Sequence, residues 1–476
     1  MKISKLVVAF VEGFLASIWA STPKHLIFEV ALIVAIFILL TKKPREVIKK
    51  DEQLTPAEED AIISSWTPKP IVPELPDDYD TSVLETKVVS SAPTDKITVE
   101  GKEALNFAVP NFFGLNNNKQ LLEAAQNAID HYAVGACGPR QFYGTMDAHL
   151  DVESAVARWT GVEDSVNYCF PFATTTSVIQ AFAHNTDVVF IDEYCWFAIK
   201  VGSELTRGKV VVFKHNDMGD LRDKIIKTKN TYERWEKCNR WVVAEGISTN
   251  DGTIVDLPSI IKLRHEFCLR IILDETNSFG ALGKTGRGAC EHFDIDRSEI
   301  EISIGSYGTA LASLGGFTIS TKELCAHQRL SSHAYIFSAS PPPYAVVCAR
   351  RAVEIVEKDG AERIAKLRNN TALMYQELSD IKGLEIVSDP ISPIVHLKLG
   401  KELSMKEANI ILQKVCDAAL NDETAPTFIV KSKFVLNRDS NKERPTIKLY
   451  ISPIHSEEEI KGAAATIKRV AEKILA

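Results

Sequence analysis

Short apolar runs alternate with longer amphipathic stretches over most of the chain beyond residue 98. The runs are rich in β-branched residues and predict strands at 187–192, 209–213, 240–244, 269–274, 300–304 and 316–320. The stretches between them, such as 221–237 and 257–267, are long enough for helices. Continuous apolar strands that alternate with helices indicate an α/β domain whose mostly parallel sheet is covered on both faces.

The last third of the chain follows a different pattern. Helical periodicity predicts helices at 345–357, 361–378, 404–418 and 456–475, and β-rich runs predict strands at 384–387, 394–399, 428–434 and 446–452. We interpret this part as a smaller α+β domain.

The first 50 residues carry an apolar segment of their own. Residues 26–40 contain one charge, Glu29, and the wider segment 21–41 reaches the length of a membrane span. Five basic residues follow at 41–50, which favours a single-pass helix with the body of the chain in the cytosol. A buried core helix is the alternative for this segment, and a signal peptide is the alternative for the apolar run 6–20.

These patterns divide the chain into four parts. The predicted parts are an N-terminal apolar segment with a membrane helix at 1–45, a linker at 46–97, a large domain at 98–342 and a small domain at 343–476. The linker is acidic and rich in proline, and it has room for one short amphipathic helix at 56–65.

Composition excludes several classes of protein. The chain has 476 residues, 45% of them hydrophobic, and a formal net charge of −8, which argues against a nucleic-acid binder. Its nine cysteines are scattered and form no CxxC pair. We therefore predict neither a metal site nor a disulfide framework, and we expect reduced thiols.

Polar residues follow several of the predicted strands. Ligands of parallel sheets bind at the carboxyl ends of the strands. The residues to inspect there are Asp192, the segment 215–217, Glu245, Asp274 and Ser306.

Six longer segments identify a family. They read NFFGL at 111–115, GPRQFYGTMDAHLDVE at 138–153, FKHND at 213–217, EGISTNDGTIVDLPSI at 245–260, DETNSFGALGKTGRG at 274–288 and FSASPPP at 337–343. In this order and spacing they resemble the α-oxoamine synthases, pyridoxal-phosphate enzymes that join an amino acid to an acyl-CoA with loss of CO2. The resemblance implies the fold type I of pyridoxal-phosphate-dependent transferases, with a large domain and a smaller C-terminal one.

The family's Schiff-base lysine is missing. The matching segment is GTALASLGGF at 308–317, and its paired glycines place Thr309 at the lysine position. Threonine has no amine and cannot form an imine. The nearest lysines, Lys284 and Lys322, lie outside the motif. The resemblance therefore implies that a lysine-bearing partner subunit binds the pyridoxal phosphate covalently and that this chain alone is inactive.

Other positions that the family uses around the cofactor have also changed. Spacing places Trp196 where the family has the histidine that stacks on the cofactor, and we expect it to fill the vacated pocket. Asp274 matches the carboxylate that pairs with the pyridinium nitrogen, or it caps a turn. The matching residues of this vestigial pocket are Trp196, Thr249, Asp274, Asn277 and Ser306, and Lys448 is the nearest cation to the family's substrate-binding arginine.

Two segments are expected to serve a partner's site. In this family each subunit lends loops to the cofactor of the other, so a heterodimer needs only one lysine. The resemblance assigns this role to the loop 134–145 and to the segment 337–343, and packing at the interface is the alternative for each residue. The candidate residues are Cys137, Arg140, Phe142, Tyr143, Ser338 and Ser340.

Three hypotheses follow for the function. The first is a non-catalytic but required subunit of a membrane-bound heterodimeric synthase, accompanied by small membrane activator and regulatory subunits. The second is an active homodimer with an unorthodox base. The third is a scaffold or regulator that binds partners without contributing to catalysis.

Overall fold

A computed structural model describes residues 13, 23–41, 54–68, 70–72, 86–433 and 445–475. The chain divides into two compact units, Met1–Pro76 and Asp77–Ala476. The apolar run 6–20 lies outside the described residues except for Gly13, and the basic residues predicted to follow the membrane helix also lie outside them.

In the described residues of the first unit, helix α1 spans Pro23–Thr41 and helix α2 spans Pro56–Ser65. The large hydrophobic side chains described on α1, between Ile27 and Leu40, are at least 48% exposed. In the ranges that the structure describes, no helix combines the length and the hydropathy of a membrane span. The membrane helix therefore stays a prediction.

Helix α2 has the bounds that the sequence predicts. Thr55 and Glu58 form a capping box, in which the backbone N–H of Thr55 donates to Glu58 Oε2 at 2.8 Å. Pro56 occupies the first turn, where the missing N–H costs nothing. These signals are local, which is why the sequence predicts this helix well.

The second unit contains fourteen strands in its described residues. They are β1 (Lys96–Val99), β2 (Lys102–Asn106), β3 (Asp164–Tyr168), β4 (Val188–Asp192), β5 (Lys209–Phe213), β6 (Arg240–Glu245), β7 (Arg270–Asp274), β8 (Ile302–Ser306), β9 (Gly316–Ser320), β10 (Leu384–Ile386), β11 (Ile394–Leu399), β12 (Thr427–Phe428), β13 (Val430–Lys431) and β14 (Thr446–Tyr450).

The α-helices of this unit lie between and after the strands. They are α3 (Lys119–Tyr132), α4 (Asp147–Thr160), α5 (Pro171–Phe182), α6 (Phe197–Leu205), α7 (Met218–Thr231), α8 (Leu257–Phe267), α9 (Ala289–Phe293), α10 (Tyr307–Ala310), α11 (Lys322–Ser331), α12 (His333–Phe337), α13 (Pro343–Leu378), α14 (Met405–Leu420) and α15 (Glu457–Leu475).

Seven strands form the main sheet, in the order β3-β9-β8-β7-β6-β4-β5. All of them run parallel except β9, which is antiparallel to both neighbours. Along β4, Val188 and Phe190 belong to one buried apolar cluster, whereas Val189 and Ile191 belong to another. The sheet is therefore buried on both faces, and the predicted α/β architecture is confirmed.

Three parts of the strand pattern differ from the prediction. The run 428–434, predicted as one strand, is divided between β12 and β13, which belong to different sheets. The sequence pattern does not predict β3, because its buried residues Ser165 and Asn167 are polar and interrupt any apolar run. β8 begins two residues later than predicted, because a 3-10 turn at Arg297–Glu299 delays it and the N–H of Ile300 donates to the Arg297 carbonyl at 3.0 Å.

The C-terminal part contains an antiparallel sheet in the order β10-β11-β14-β13. Helix α13 is continuous, although the sequence predicts two helices with a break near 358–360. Gly360 stays helical there, and a Cβ at this position would lie 3.1 Å from the Thr285 carbonyl oxygen. The glycine thus permits close packing rather than ending the helix. A third sheet, β1-β2-β12, begins within the predicted linker 46–97.

Candidate cofactor site

Asp274 ends β7 and lies opposite Glu245, the last residue of β6. Its carboxylate is almost fully buried and has three hydrogen-bond donors. Oδ1 accepts from the backbone N–H of Thr276 at 3.0 Å. Oδ2 accepts from the Thr175 hydroxyl at 2.8 Å and from the indole Nε1–H of Trp196 at 3.0 Å. The carboxylate is therefore saturated by the chain itself.

Burial raises the pKa of Asp274, and its hydrogen-bond donors oppose that rise. Burial also raises the pKa of Glu245 to about 8; hydrogen bonds from Thr249 oppose this shift and the charge of Asp274 adds to it. Two carboxyl groups at neighbouring strand ends thus share a site that resists a second negative charge.

Thr249 and Asn277 lie against Glu245. The Thr249 hydroxyl donates to Glu245 Oε1 at 2.5 Å, and the backbone N–H of Thr249 donates to the same oxygen at 3.0 Å. The side-chain amide of Asn277 donates to the Thr249 hydroxyl at 2.8 Å. These polar groups therefore bind one another.

Thr309 lies beside the same strand end. It belongs to the short helix α10, and its hydroxyl donates to the Thr276 carbonyl at 2.7 Å, two residues beyond Asp274. Ser306 caps the helix, since its hydroxyl accepts from the N–H of Gly308 at 3.0 Å. The structure thus brings Thr309, Ser306 and Asp274 to one edge of the sheet.

Bound pyridoxal phosphate does not fit this arrangement. The fold type requires a lysine amine, and Thr309 supplies a short hydroxyl that is already bonded. One oxygen of Asp274, Oδ2, already accepts a hydrogen bond from the indole of Trp196. At the start of α5, Pro171 lacks an N–H, and Phe170 caps the helix without a side-chain oxygen. The residues present therefore form a closed vestigial site.

A charged histidine lies at the ends of β4 and β5. His215 Nδ1 is 2.8 Å from Asp192 Oδ1, and Nε2 is 3.0 Å from Asp251 Oδ2. Its ring stacks on Tyr194 at 4.6 Å between centroids. Burial opposes the charge, but the hydrogen bonds to Asp192 and Asp251 win and raise the pKa of His215 to about 10.

His215 ties the hairpin after β6 to the sheet. Its Nε2 also lies 2.7 Å from the Thr253 hydroxyl, and the hairpin bridges Ile247 to Ile254. The motif FKHND contains the histidine, but its partner Asp251 lies 36 residues away. Within the described ranges, no group of three or more His, Cys, Asp or Glu is arranged to hold a metal.

The two segments expected to serve a partner's site meet each other. Pro139 and Ala339 form a β-bridge, and the N–H of Ser340 donates to the Gly138 carbonyl at 2.9 Å. A buried histidine fixes the same junction: His149 Nδ1 accepts from the Met146 N–H at 2.9 Å, so Nε2 carries the proton and donates to the Pro341 carbonyl at 2.8 Å. We call residues 134–145 together with 337–343 the joined loops.

Arg140 lies inside the joined loops rather than on their surface. It is 5% exposed, and Nη1 lies 2.8 Å from Oε1 of Glu153, which is 3% exposed. Its Nε donates to the Thr145 hydroxyl at 3.0 Å, and its guanidinium stacks on Tyr335 at 5.1 Å. The charge of Arg140 is therefore paired with an internal carboxylate.

The aromatic residues of the joined loops point outward. Tyr143 is fully exposed and has a positive φ of 64°, while Phe142 is half exposed and Phe337 is 70% exposed. Cys137 is an exposed free thiol, Ser338 is partly exposed, and Ser340 is buried. Tyrosine rarely adopts this left-handed backbone conformation, which is strained and here holds the side chain in solvent. Such strain is unusual for a side chain that contacts no partner molecule.

Sequence reasoning did not identify Thr175, Asp251 and Glu153, which complete these sites. Glu153 ends the family segment GPRQFYGTMDAHLDVE and Asp251 lies within EGISTNDGTIVDLPSI, whereas Thr175 lies outside the family segments. In none of the three does the neighbouring sequence indicate which distant side chain the residue contacts.

The model of the family "Aminotransferase class I and II" matches residues 102–463. The chain therefore belongs to that family, whose fold type I is pyridoxal-phosphate-dependent. Within it, the chain is 39% identical over 452 residues to "Long chain base biosynthesis protein 1" of Arabidopsis thaliana, which covers 95% of this chain and 92% of the relative.

Two further relatives carry a related name. "Serine palmitoyltransferase 1" of Dictyostelium discoideum is 34% identical over 96% of this chain and 95% of its own length. "Serine palmitoyltransferase 1" of Saccharomyces cerevisiae is 30% identical over 97% of this chain and 91% of its own length. The chain is thus a homologue of these long chain base biosynthesis and serine palmitoyltransferase 1 proteins, and the resemblance seen in the sequence is confirmed.

Solved structures show the same fold. A serine palmitoyltransferase of S. paucimobilis with a bound PLP–myriocin aldimine superposes with a TM-score of 0.74 at 19% identity, covering 88% of this chain and 96% of that one. The 8-amino-7-oxononanoate synthase of Francisella tularensis superposes with a TM-score of 0.63 at 20% identity, covering 78% and 98%.

Proposed function

We propose that this chain is a non-catalytic but required subunit of serine palmitoyltransferase. The holoenzyme would condense L-serine with palmitoyl-CoA to give 3-ketosphinganine, CoA and CO2, the first step of sphingolipid biosynthesis. Pyridoxal phosphate would be bound covalently by a lysine of the partner, subunit 2. The observation that carries the proposal is Thr309 at the lysine position, bonded to the backbone beside Asp274.

The joined loops are the part of this chain that we propose to serve the partner's site. Phe142, Tyr143 and Phe337 present aromatic surface on a scaffold fixed by the Pro139–Ala339 bridge and the His149 contact. Exposed aromatic residues on a rigid frame suit a buried interface or an acyl-chain path. In this proposal Arg140 positions the loop through Glu153, whereas Phe142 and Tyr143 make the contact. Cys137, Ser338 and Ser340 belong to the same surface or its support.

A glycine pair inside the loop gives the sharpest test. A Cβ on Gly144 would lie 1.9 Å from the Gly138 carbonyl oxygen, whereas a Cβ on Gly135 meets nothing within 4 Å. Gly144→Ala must therefore displace the loop, and Gly135→Ala is the matched control. Each variant is co-purified with its lysine-bearing partner, and turnover is measured per assembled complex.

We expect Gly144→Ala to lower kcat per complex by about tenfold or more, because displacing a group by about 1 Å can lower the rate by up to about a hundredfold. We expect Gly135→Ala to retain the kcat of the wild type. Tyr143→Ala then reports on the contact itself. Normal turnover in assembled complexes of both Gly144→Ala and Tyr143→Ala would favour the scaffold hypothesis. An imine absorbance band in the chain purified alone, trapped by borohydride on one of its lysines, would favour the active homodimer.

We propose further that residues before about 51 attach the chain to the endoplasmic reticulum membrane, with the body in the cytosol. The exposed apolar face of α1 and the basic residues at 42–50 of the sequence support this. An acyl-CoA substrate and a lipid product suit a membrane location. Small membrane activator and regulatory subunits would also suit it.

Deletion of residues 1–50 tests the attachment. We expect the truncated chain, expressed without its partner, to move from the membrane fraction to the supernatant while its near-UV circular dichroism stays that of a folded body. A truncated chain that still sediments with membranes would assign attachment to another segment.

A further inference from the structure

We propose that Trp196 closes this chain's own cofactor pocket by taking the place of the cofactor ring. Its indole N–H satisfies the Asp274 carboxylate that the family reserves for a pyridinium N–H. The site would then be complete without pyridoxal phosphate, which it excludes by occupancy and not only by lacking a lysine. This holds whether or not the chain lends loops to a partner.

The hydrogen bond at Asp274 is the first support. Trp196 Nε1 lies 3.0 Å from Asp274 Oδ2, a normal length for an N–H donor to a carboxylate. Indole is a planar aromatic ring with one N–H in its plane and no acceptor. A protonated pyridine ring is also planar and presents one in-plane N–H. The indole therefore offers the carboxylate the same donor, without the positive charge.

The backbone of Trp196 is fixed at the same site. Its N–H donates to Glu245 Oε2 at 2.9 Å, and Trp196 precedes the first residue of α6. One residue is thus bonded to both carboxylates, by its main chain to Glu245 and by its side chain to Asp274. Two anchors of this kind hold the indole in one orientation.

An aromatic wall supports the ring. Phe172 contacts Trp196 edge to face, with centroids 6.2 Å apart and an interplanar angle of 89°. Phe172 in turn stacks on Phe197 at 6.0 Å. Edge-to-face pairs of this geometry contribute beyond the burial of apolar area. The indole is therefore packed as well as hydrogen-bonded.

The carboxylate needs no further donor. Thr175 supplies a second hydrogen bond to Oδ2, and the Thr276 N–H supplies one to Oδ1. A buried carboxylate with fewer donors would be costly. Removal of the indole would leave Oδ2 with Thr175 alone and an opening the size of an aromatic ring, which is what a cofactor ring requires.

Pyridoxamine 5′-phosphate is the probe that isolates this effect. It has the ring, the nitrogen and the phosphate, but no aldehyde, so its binding needs no lysine. The full chain, expressed without its partner, is titrated by calorimetry as wild type, Trp196→Ala, Trp196→Phe and the double variant Trp196→Ala with Asp274→Asn. Near-UV circular dichroism confirms the fold of each variant.

We expect no saturable binding to the wild type up to about 1 mM, and binding at least about tenfold tighter than that limit by Trp196→Ala. The double variant should lose about tenfold or more of the gained affinity, because a hydrogen bond to a charged group is lost. Trp196→Phe keeps most of the ring volume and should bind no better than the wild type. A folded Trp196→Ala chain that does not bind the probe would refute the proposal.

A second measurement uses the unaltered chain. The protein has six tryptophans, and selective 15N labelling gives six indole N–H signals. Trp196→Phe assigns the signal of Trp196. We expect that signal to stay unchanged when the probe is added to about 1 mM, a concentration that reveals even weak binding. A saturable shift of that signal in the wild type would show an open pocket and refute occupancy by the indole.

These outcomes are independent of the proposed subunit role. A wild-type chain that binds pyridoxamine 5′-phosphate, and that gives no borohydride-trapped adduct when it is incubated separately with pyridoxal phosphate, would overturn occupancy by Trp196 and leave the non-catalytic role intact. A trapped adduct would overturn the non-catalytic role.

Discussion

Arg140→Met should destabilise the body of this chain, because it leaves a buried carboxylate without its nearest partner. Arg140 and Glu153 are 5% and 3% exposed, and their charged atoms lie 2.8 Å apart. Loss of one member of such a pair costs about 3–5 kcal/mol. Glu153 keeps the guanidinium of Arg329 at 3.3 Å and the N–H of Asn167 at 2.9 Å. We therefore expect the lower end, about 3 kcal/mol, or roughly a hundredfold in the folding equilibrium.

The assay is the urea midpoint of the full chain by pulse proteolysis, converted to free energy with a slope shared among variants. The matched control is Arg350→Met. Arg350, on α13, forms an ion pair at 3.0 Å with Asp151, which lies on α4 as Glu153 does. The side chains of Arg350 and Asp151 are 42% and 55% exposed. An exposed pair of this kind is worth about 0–1 kcal/mol. Equal effects of the two variants, or a loss below about 1 kcal/mol for Arg140→Met, would refute the internal role of Arg140.

Three further variants test other parts of the structure. His215→Gln should lower the free energy of unfolding by about 3 kcal/mol near pH 6. Because the pKa of His215 is raised to about 10, its charge stabilises the fold fully below about pH 6.5, and this contribution is lost as the pH rises through 10. The destabilisation should therefore shrink between pH 6 and 10 in denaturation curves, whereas His265→Gln, at an exposed ion pair, should change stability by less than about 1 kcal/mol at either pH. Thr309→Lys should give no imine absorbance with pyridoxal phosphate, because the Trp196 indole still donates to Asp274 where the ring nitrogen of the cofactor would bind. An absorbance band in that variant would contradict the closed site. Gly144→Ala should lower the free energy of unfolding by about 1–3 kcal/mol, because its Cβ overlaps the Gly138 carbonyl, and an unchanged urea midpoint would contradict the tight loop.

The sequence predicts well those features that depend on neighbouring residues. Helix α2 is set by a capping box and a proline within four residues of one another. The apolar runs at β4, β6 and β7 predict strands because both faces of the sheet are buried there, so their central positions must be apolar. The family segments also indicate which strand ends carry polar residues of the site. The resemblance implies that Thr309 stands in place of the lysine.

Features that depend on distant residues could not be predicted in this way. Asp274 and Trp196 are 78 residues apart, and nothing near either one indicates that an indole would satisfy the carboxylate. Arg140 stands in a glycine-rich loop that reads as exposed, yet burial of Glu153 draws it inside. Gly360 reads as a helix end, yet contact with the Thr285 loop keeps α13 continuous.

The sequence by itself determined the α/β architecture and the family, because strand burial and motif order are written in contiguous residues. Only the tertiary structure decided which groups satisfy Asp274, which carboxylate holds Arg140 and which aromatic side chains remain exposed on the joined loops. Hydrogen bonds and ion pairs between residues far apart in the chain exist only after folding places their elements side by side, and local patterns carry no information about those distances.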